Sequence, residues 1–230
     1  MPLNKSFKEW PQIFDGTSFS MLICGSSGSG KTQLIKTIIN NCKKEYDYFI
    51  IIAASMNFSG DYKEFEADND EKKFIFFDEY NPEILRELMD TQADIIVRYG
   101  KPRTPKVVVI MDDIMEYIKQ RSLIEKLFFK GRHLNISPIV LVQKLRGGVS
   151  TTLRVNTRYA VFFRAGNSSE IDAFLQIYTG KRERAHIEQI LHEWFKEPYT
   201  FLFADFKTQN FQDRYILGRD KQLHHRVEWD

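Results

Sequence analysis

The chain has 230 residues, of which 43% are hydrophobic, and its 33 basic and 31 acidic side chains leave a net charge of +2. This length suits one domain over residues 1–230, with its core at about 17–206, and is too short for two. The two cysteines give neither a disulfide framework nor metal-ligand spacing, which fits a reducing compartment. The longest apolar run, Tyr48–Ala54, is far shorter than the ~20 residues that span a bilayer. Residues 1–10 lack the core of a signal peptide, so we expect a soluble, intracellular protein.

Charge is unevenly distributed along the chain. Residues 61–116 carry 15 acidic and 8 basic side chains, whereas residues 119–184 carry 13 basic and 4 acidic ones. The near-neutral total gives no argument for nucleic-acid binding, but the distribution predicts one positive face. An ordinary solvated surface, a polyanion or an acidic neighbouring subunit would each explain such a face.

The segment GSSGSGKT, residues 25–32, matches the phosphate-binding loop at every fixed position. The apolar run Phe19–Cys24 predicts a buried strand before the loop, and helical spacing predicts a helix over Lys31–Cys42 after it. Backbone N–H groups and the helix dipole would then face the phosphates of a nucleotide. The predicted nucleotide-binding residues are Gly25, Ser26, Ser27, Gly28, Ser29, Gly30, Lys31 and Thr32.

Each residue type in this loop has a physical reason. The glycines permit positive φ and close approach of the backbone, and the serines are small enough not to obstruct phosphates. Lys31 is expected to reach the β- and γ-phosphates, and the Thr32 hydroxyl to coordinate Mg²⁺. The alternative is a Gly/Ser turn that only resembles the motif; the agreement of strand, loop and helix favours the nucleotide site.

The middle of the chain alternates apolar runs with helical stretches. Strands are predicted over 48–53 and 73–77, a helix over 82–98 and a solvent-facing loop over 100–105. The next buried strand, Lys106–Met111, is followed by Asp112 and Asp113. In a parallel sheet such a strand delivers its carboxylates to the ligand crevice, so we expect Asp112 to hold Mg²⁺, through water or directly. Asp113 would orient or deprotonate the attacking water, with Glu116 as a weaker competitor.

The alternative for this acidic pair is that the two carboxylates cap the next helix. That helix is predicted over 122–133, and the basic segment 130–137 follows at its end. If the protein forms a ring, the Arg132 guanidinium could reach the γ-phosphate bound by the next subunit. It could equally complement the helix dipole. The rival candidates for such an arginine finger are Arg146, Arg154, Arg158 and Arg164.

Gln143 follows a predicted buried strand over 138–142. Because this strand would end at the same crevice as Asp112, Gln143 is expected to hydrogen-bond the γ-phosphate or the attacking water. The next segment, from Lys144 through Arg146 to Thr151, reads as a mobile positive loop that could track a DNA backbone, or as an ordinary glycine turn.

The C-terminal third predicts strands over 159–163 and 199–204, and helices over 168–177 and 184–195. Alternation over 200–217 predicts an antiparallel hairpin with its turn near 208–213, and His224 and His225 are expected on an exposed tail that ends the segment 199–230. The whole pattern predicts an α/β fold: a P-loop NTPase with a doubly wound, mostly parallel sheet and a C-terminal antiparallel hairpin.

The order GSSGSGKT, VVVIMDD, GRHLNIS, PIVLVQ and LRVNTRYAVFFR resembles the FtsK/HerA superfamily of P-loop ATPases (RecA-like, ASCE type), and most of all its poxvirus-type branch of viral DNA-packaging ATPases. The resemblance runs from about residue 21 to 164. It implies an ATP-driven translocase of double-stranded DNA that forms a homo-oligomeric ring and packages a viral genome into a preformed capsid, with a capsid vertex protein as partner. The expected location is the host-cell cytoplasm or virus factory, or the virion.

The resemblance also implies residue roles. Lys31, Thr32 and Asp112 would bind ATP and Mg²⁺, Asp113 would activate water, Gln143 would sense the γ-phosphate, and Arg132 would lead the finger candidates. Asp113 departs from the wider superfamily, in which many relatives use Glu. The chain also lacks the nuclease domain of large terminase subunits, so cleavage of DNA concatemers is not predicted.

Other functions use the same chemistry. A cellular FtsK/HerA-like DNA translocase or helicase would need the same motor residues. A GTPase is disfavoured because no guanine-reading Asn-Lys-x-Asp segment follows the acidic strand. A small-molecule kinase would need an acceptor pocket and an arginine-bearing lid, which residues 181–184 could mimic. A scaffold with a relic loop is the weakest alternative, because both metal-side residues are intact.

Overall fold

The computed structural model describes residues 9–54, 60–67, 69, 72–118, 122–164 and 168–229. Its strands, numbered along the chain, are β1 (Met21–Cys24), β2 (Tyr48–Ala53), β3 (Phe74–Phe77), β4 (Val107–Asp112), β5 (Ile136–Val142), β6 (Tyr159–Phe163), β7 (Thr200–Asp205), β8 (Tyr215–Arg219) and β9 (Gln222–Arg226). The α-helices are α1 (Trp10–Ile13), α2 (Lys31–Cys42), α3 (Lys63–Ala67), α4 (Pro82–Tyr99), α5 (Leu123–Lys130), α6 (Thr151–Val155), α7 (Ser168–Tyr178) and α8 (Lys181–Trp194). Short 3₁₀ turns occupy Lys101–Arg103, Met115–Tyr117, Gly131–Leu134 and Phe211–Asp213.

These strands form one sheet in the order β3-β2-β4-β5-β1-β6-β7-β8-β9. The strands from β3 to β6 pair in parallel, and β6, β7, β8 and β9 pair antiparallel. The predicted mostly parallel α/β fold with a C-terminal antiparallel extension is confirmed. In a parallel sheet the carboxyl ends of the strands lie on the same side, and here β5 lies between β1 and β4, so the ends of these three strands are adjacent.

Alternate side chains of each central strand enter two different cores. Leu22 and Cys24 of β1 belong to the core under α4, α5, α7 and α8, while Met21 and Ile23 belong to the core under α1, α2 and α3. The central strands are therefore buried on both faces, which is why they read as continuous apolar runs. A doubly wound sheet results, with helices on both sides.

Local signals explain both ends of α4. The Asn81 side chain accepts a hydrogen bond from the Glu83 N–H at the start of α4, and Pro82 occupies its first turn. Such a cap stabilises a helix by about 1 kcal/mol. The helix ends at Gly100, whose φ of 81° a side chain would disfavour. These residues set the predicted bounds of α4 to within one residue.

Several elements differ from prediction. The helix expected over 122–133 ends at Lys130, because a 3₁₀ turn and a left-handed Asn135 (φ 55°) reverse the chain, so β5 begins two residues early, at Ile136. Helix α8 begins at Lys181 rather than 184, since the Glu183 carboxylate accepts from the Gly180 N–H. The short helices α1, α3 and α6 were not predicted.

The C-terminal segment forms more than the predicted hairpin. Strands β7 and β8 pair as expected around the 3₁₀ turn near 211–213, but residues 222–226 form a further strand, β9, instead of a tail. A two-residue turn joins β8 to β9, with Asp220 (φ 49°) and Lys221 (φ 71°) both left-handed. Such turns usually contain glycine, which explains why this one gave no sequence signal. His224 and His225 are exposed on the edge strand.

Candidate nucleotide-binding site

The loop 25–32 joins the end of β1 to the start of α2. The Gly25 N–H donates to the Val142 carbonyl of β5 at 3.1 Å, which fixes the loop to the neighbouring strand. A Cβ on Gly25 would lie 2.6 Å from Ser29 Oγ and 2.7 Å from Phe163 Cβ, so close approach requires glycine here. Gly28 (φ 73°) and Gly30 (φ 100°) take left-handed conformations, and Gly30 precedes the first residue of α2. The helix N-terminus therefore opens directly onto the loop, as predicted.

Lys31 lies between the loop and the end of β4. Its Nζ donates to the carbonyls of Gly25 at 2.7 Å and Ser26 at 2.9 Å. Burial lowers the pKa of Lys31, and the nearby Asp112 carboxylate opposes that shift. A cation held by its own loop at the helix N-terminus is placed to meet an anion.

Asp112 ends β4 and is 8% exposed. One of its oxygens, Oδ2, accepts from Thr32 Oγ1 at 3.0 Å and from the Tyr62 hydroxyl at 3.0 Å. Burial raises the pKa of Asp112, while the bonds from Tyr62 and Thr32 and the Lys31 charge act to lower it. The structure thus brings together the hydroxyl and the carboxylate that the sequence predicted as a magnesium pair.

This donor set fits Mg²⁺. Hydroxyl and carboxylate oxygens are the hard ligands that Mg²⁺ prefers, and it is usually held by one or two carboxylates together with substrate phosphates. No cluster of three or more His, Cys, Asp or Glu side chains suited to a metal ion occurs among the described residues. The small protein contribution at Thr32 and Asp112 is therefore the kind of site that a magnesium-nucleotide needs.

Asp113 and Gln143 lie together beside this pair. Gln143 Nε2 is 3.4 Å from Asp113 Oδ1, although 30 residues separate them in the sequence. Asp113 takes a left-handed conformation (φ 58°), which turns its carboxylate out of the line of β4, and both side chains are exposed. Glu116, the weaker candidate for the base, lies in the 3₁₀ turn 115–117 and does not line this pocket.

The pocket has a volume of about 480 Å³ and is lined by loop residues together with Asp112, Asp113 and Gln143. Three lining or supporting residues were not predicted. Tyr62 is fully buried, Asp61 lines the pocket beside it, and Tyr199 lines the pocket from the start of β7. No local sequence pattern marks them, because each meets the site through a contact distant in sequence.

Arg132 does not join this site within the chain. It lies in the 3₁₀ turn before β5, at the amino end of that strand, and its carbonyl accepts from Lys101 Nζ at 2.8 Å. Gln143 follows the carboxyl end of β5, so the full length of this strand separates it from Arg132. An exposed Arg132 therefore cannot contact the nucleotide pocket of its own chain.

The rival arginines have partners in their own chain. Arg154 donates to the Leu145 carbonyl at 2.8 Å, and Arg158 donates to the Ser18 carbonyl at 3.1 Å. The remaining two are exposed: Arg146 lies 3.3 Å from Gln176 Oε1, and Arg164 lies 3.5 Å from the Lys196 carbonyl.

The segment 144–150 is held more firmly than its glycines suggested. Leu145 is fully buried, its N–H donates to Glu170 at 2.8 Å, and its carbonyl accepts from Arg154. Ser150 also bonds the buried Glu125. The exposed residues of the segment are Lys144, Arg146 and Gly147.

Together the fold and this pocket define a P-loop nucleotide-binding protein. Comparison with known families makes the assignment narrower: the profile described as Poxvirus A32 protein matches residues 12–197. The chain belongs to this family, and the resemblance to the poxvirus-type branch is confirmed. In the part of the chain that the structure describes, no helix is both long and apolar enough to cross a bilayer.

Individual relatives agree with this assignment. The chain is 31% identical over 132 residues to the DNA packaging protein OPG160 of Variola virus, a match that covers 56% of this chain and 47% of that protein. The chain spans less than half the length of the curated relatives it matches.

Solved structures share the fold. The genome packaging NTPase B204 from Sulfolobus turreted icosahedral virus 2, in complex with AMPPCP, has a TM-score of 0.64 at 17% identity, covering 88% of this chain and 97% of that one. The pCW3 conjugation coupling protein TcpA, with ATPγS, has a TM-score of 0.61 at 13% identity, covering 89% and 60%.

Proposed function

We propose that this chain is an ATP-hydrolysing motor that translocates double-stranded DNA and packages a viral genome into a preformed capsid. The observation that carries the proposal is the convergence of Lys31, Thr32, Asp112, Asp113 and Gln143 on one pocket, in a chain of the Poxvirus A32 family. The whole chain would act as a single P-loop ATPase domain, in the host-cell cytoplasm, the virus factory or the virion.

The pocket residues divide the work of ATP hydrolysis. Loop N–H groups and Lys31 would bind the β- and γ-phosphates, and Thr32 and Asp112 would hold Mg²⁺. When bound, Mg²⁺ neutralises charge on the phosphate oxygens. Asp113 would accept a proton from water as the water oxygen attacks the γ-phosphorus and the bond to the leaving ADP breaks. Gln143, 3.4 Å from Asp113, would orient that water.

Arg132 would act on a neighbouring subunit. Its distance from its own pocket and its exposure support a role in trans, in which the guanidinium stabilises charge developing on the γ-phosphate bound next door. The engagement of Arg154 and Arg158 with backbone carbonyls of their own chain makes these two weaker candidates. A homo-oligomeric ring is therefore part of the proposal, and a capsid vertex protein is its proposed docking partner.

Turnover of Mg²⁺-ATP by the purified chain, with and without double-stranded DNA, tests the motor function. We expect DNA to stimulate turnover and Asp113→Asn to abolish nearly all of it. DNA binding should weaken steeply with salt and depend little on base sequence. Turnover that ignores DNA but requires a small phosphate acceptor would replace the motor with a kinase.

Mixing two inactive variants tests the role of Arg132 in trans. Lys31→Ala subunits keep Arg132 but have an inactive nucleotide pocket. Arg132→Ala subunits keep an intact pocket but lack the arginine for their neighbour. A mixture should regain part of the activity that neither variant shows alone, because some interfaces then pair an intact pocket with an intact arginine. Full activity of Arg132→Ala alone would exclude this residue.

A further inference from the structure

Tyr199 stands at the mouth of the nucleotide pocket with its backbone fixed and its ring exposed. The next residue, Thr200, is fully buried, and its hydroxyl donates to the Glu197 carbonyl at 2.8 Å. The Tyr199 carbonyl accepts from the Asp220 N–H at 3.3 Å. Tyr199 itself is 55% exposed and takes a left-handed conformation (φ 54°), which non-glycine residues rarely adopt.

The ring lies beside the last glycine of the phosphate-binding loop. If Gly30 carried a Cβ, that atom would lie 3.5 Å from Tyr199 Cδ1 and 3.7 Å from Phe163 Cε1. The same Tyr199 lines the pocket that contains Lys31 and Thr32. An exposed aromatic ring therefore stands beside the loop that would bind the phosphates, with room between them for no more than a methyl group at Gly30.

Strand order gives the direction in which a nucleotide extends. Strand β5, which carries Gln143, pairs with β1 on one side, and β6 pairs with β1 on the other. Strand β7 runs antiparallel to β6 with Phe201 opposite Phe163, so Tyr199 lies at the same edge of the sheet as the loop. The catalytic candidates and Tyr199 thus flank the loop from opposite sides.

We propose that Tyr199 is a stacking platform for the nucleobase of the bound nucleoside triphosphate. The inference rests on the proposed function: with the γ-phosphate facing Asp113 and Gln143, the α-phosphate, ribose and base extend toward β6 and β7. A planar ring that is exposed on a rigid backbone loses little conformational freedom when it stacks. Base–aromatic stacking depends on the π-face that every base has, so the platform adds affinity for the nucleoside half of the ligand.

Calorimetric titration with two ligands, Mg²⁺-ATP and Mg²⁺-tripolyphosphate, separates the base from the phosphates. Tyr199→Leu keeps an apolar side chain without a π-face and should weaken Mg²⁺-ATP binding by about fivefold or more. Its affinity for tripolyphosphate, which has no base, should stay within about twofold of the wild type, and Tyr199→Phe should bind both ligands like the wild type.

Three results would overturn the platform. Tyr199→Leu could bind Mg²⁺-ATP as tightly as the wild type, or it could lose tripolyphosphate and ATP equally, which would mean that Tyr199 only supports the loop. Tyr199→Phe could also bind ATP as weakly as the leucine variant. Failure of the proposed function is distinguishable, because a wild-type chain that binds neither ligand shows no phosphate site at all.

Discussion

The parallel and antiparallel parts of the sheet contribute to the site in different ways. Asp112, Asp113 and Gln143 lie at or directly after the carboxyl ends of β4 and β5, and Lys31 begins the helix that follows β1 and its loop. The antiparallel strands β7 to β9 extend the core and bring a single side chain, Tyr199, to the pocket. The candidate catalytic and metal-binding side chains therefore lie where the parallel strands end together. The antiparallel strands contribute packing and one side of the pocket.

Removing the loop lysine should have the largest effect on the parallel part. Lys31→Ala takes away the cation that would stabilise the transferred phosphate, and we expect turnover to fall by about 100-fold or more. Steady-state ATPase assays measure this. Lys44→Ala, an exposed lysine just after α2, is the matched control and should leave turnover unchanged. Equal losses in both variants would show that overall charge, rather than the pocket, controls activity.

A clash in the antiparallel part should reduce stability instead of chemistry. A Cβ on Gly218 would meet the buried Phe201 ring and lie 2.8 Å from the Gln222 carbonyl oxygen. Gly218→Val suits a strand by propensity, so its cost would come from overpacking, at about 3 kcal/mol of unfolding free energy. Urea denaturation measures it.

The control for this variant is Gly147→Ala. That position is left-handed (φ 70°) with nothing within 4 Å of the added Cβ, so only backbone strain of about 1 kcal/mol is expected. Turnover per folded molecule should survive in both variants. A Gly218→Val protein as stable as the wild type would mean that β7 and β8 do not pack as described.

The Tyr62 hydroxyl should affect both the rate of turnover and the pH below which turnover falls, the acid limb of the pH profile. Tyr62→Phe keeps the buried ring but removes the bond to Asp112, and turnover should fall by about tenfold, equivalent to about 1.4 kcal/mol. Burial already raises the pKa of Asp112 and this bond lowers it, so the variant should raise that pKa further. Since Mg²⁺ needs the ionised carboxylate, the acid limb of turnover should move to higher pH.

A pH profile of kcat/KM for Tyr62→Phe tests this positioning role. Tyr46→Phe is the control, because it removes a buried hydroxyl that donates to the Thr17 carbonyl, away from the pocket. Its acid limb should match that of the wild type. An unshifted limb in Tyr62→Phe would show that the bond does not position Asp112.

The smallest expected effect concerns the exposed part of segment 144–150. If Arg146 contacts one DNA phosphate, Arg146→Ala should reduce the slope of log affinity against log salt by about one and weaken binding similarly for all sequences. Turnover without DNA should not change. An unchanged slope would leave this segment as a structural turn.

Sequence patterns predicted the parts of this site that are local in the chain. The loop, Asp112, Asp113 and Gln143 each follow an apolar run, and the ends of parallel strands must meet, so their convergence could be anticipated. In the structure, Gln143 Nε2 lies 3.4 Å from Asp113 Oδ1. The roles of these residues in hydrolysis remain predictions.

Contacts between distant segments could not be anticipated. The Tyr62 hydroxyl bonds Asp112, which is 50 residues away in the sequence. Tyr62 also has a left-handed backbone (φ 68°), a conformation that its residue type does not predict. Strand β9 depends on a turn in which Lys221, rather than the usual glycine, takes the second left-handed position. A Cβ added to Gly131 would lie 2.8 Å from the Ile136 carbonyl oxygen, so the chain after α5 folds back closely enough to require glycine at this position.

Calorimetric injection of Mg²⁺-ATP into the wild-type chain, repeated with Asp112→Asn and without Mg²⁺, tests the central claim most directly. Lys31, Thr32 and Asp112 share one pocket, so we predict saturable heat that fits one site per chain. The affinity for ATP should fall both in the Asp112→Asn variant and when Mg²⁺ is left out. Absence of heat with the wild type, or binding that is indifferent to both changes, would contradict a magnesium-nucleotide site at the carboxyl edge of this sheet.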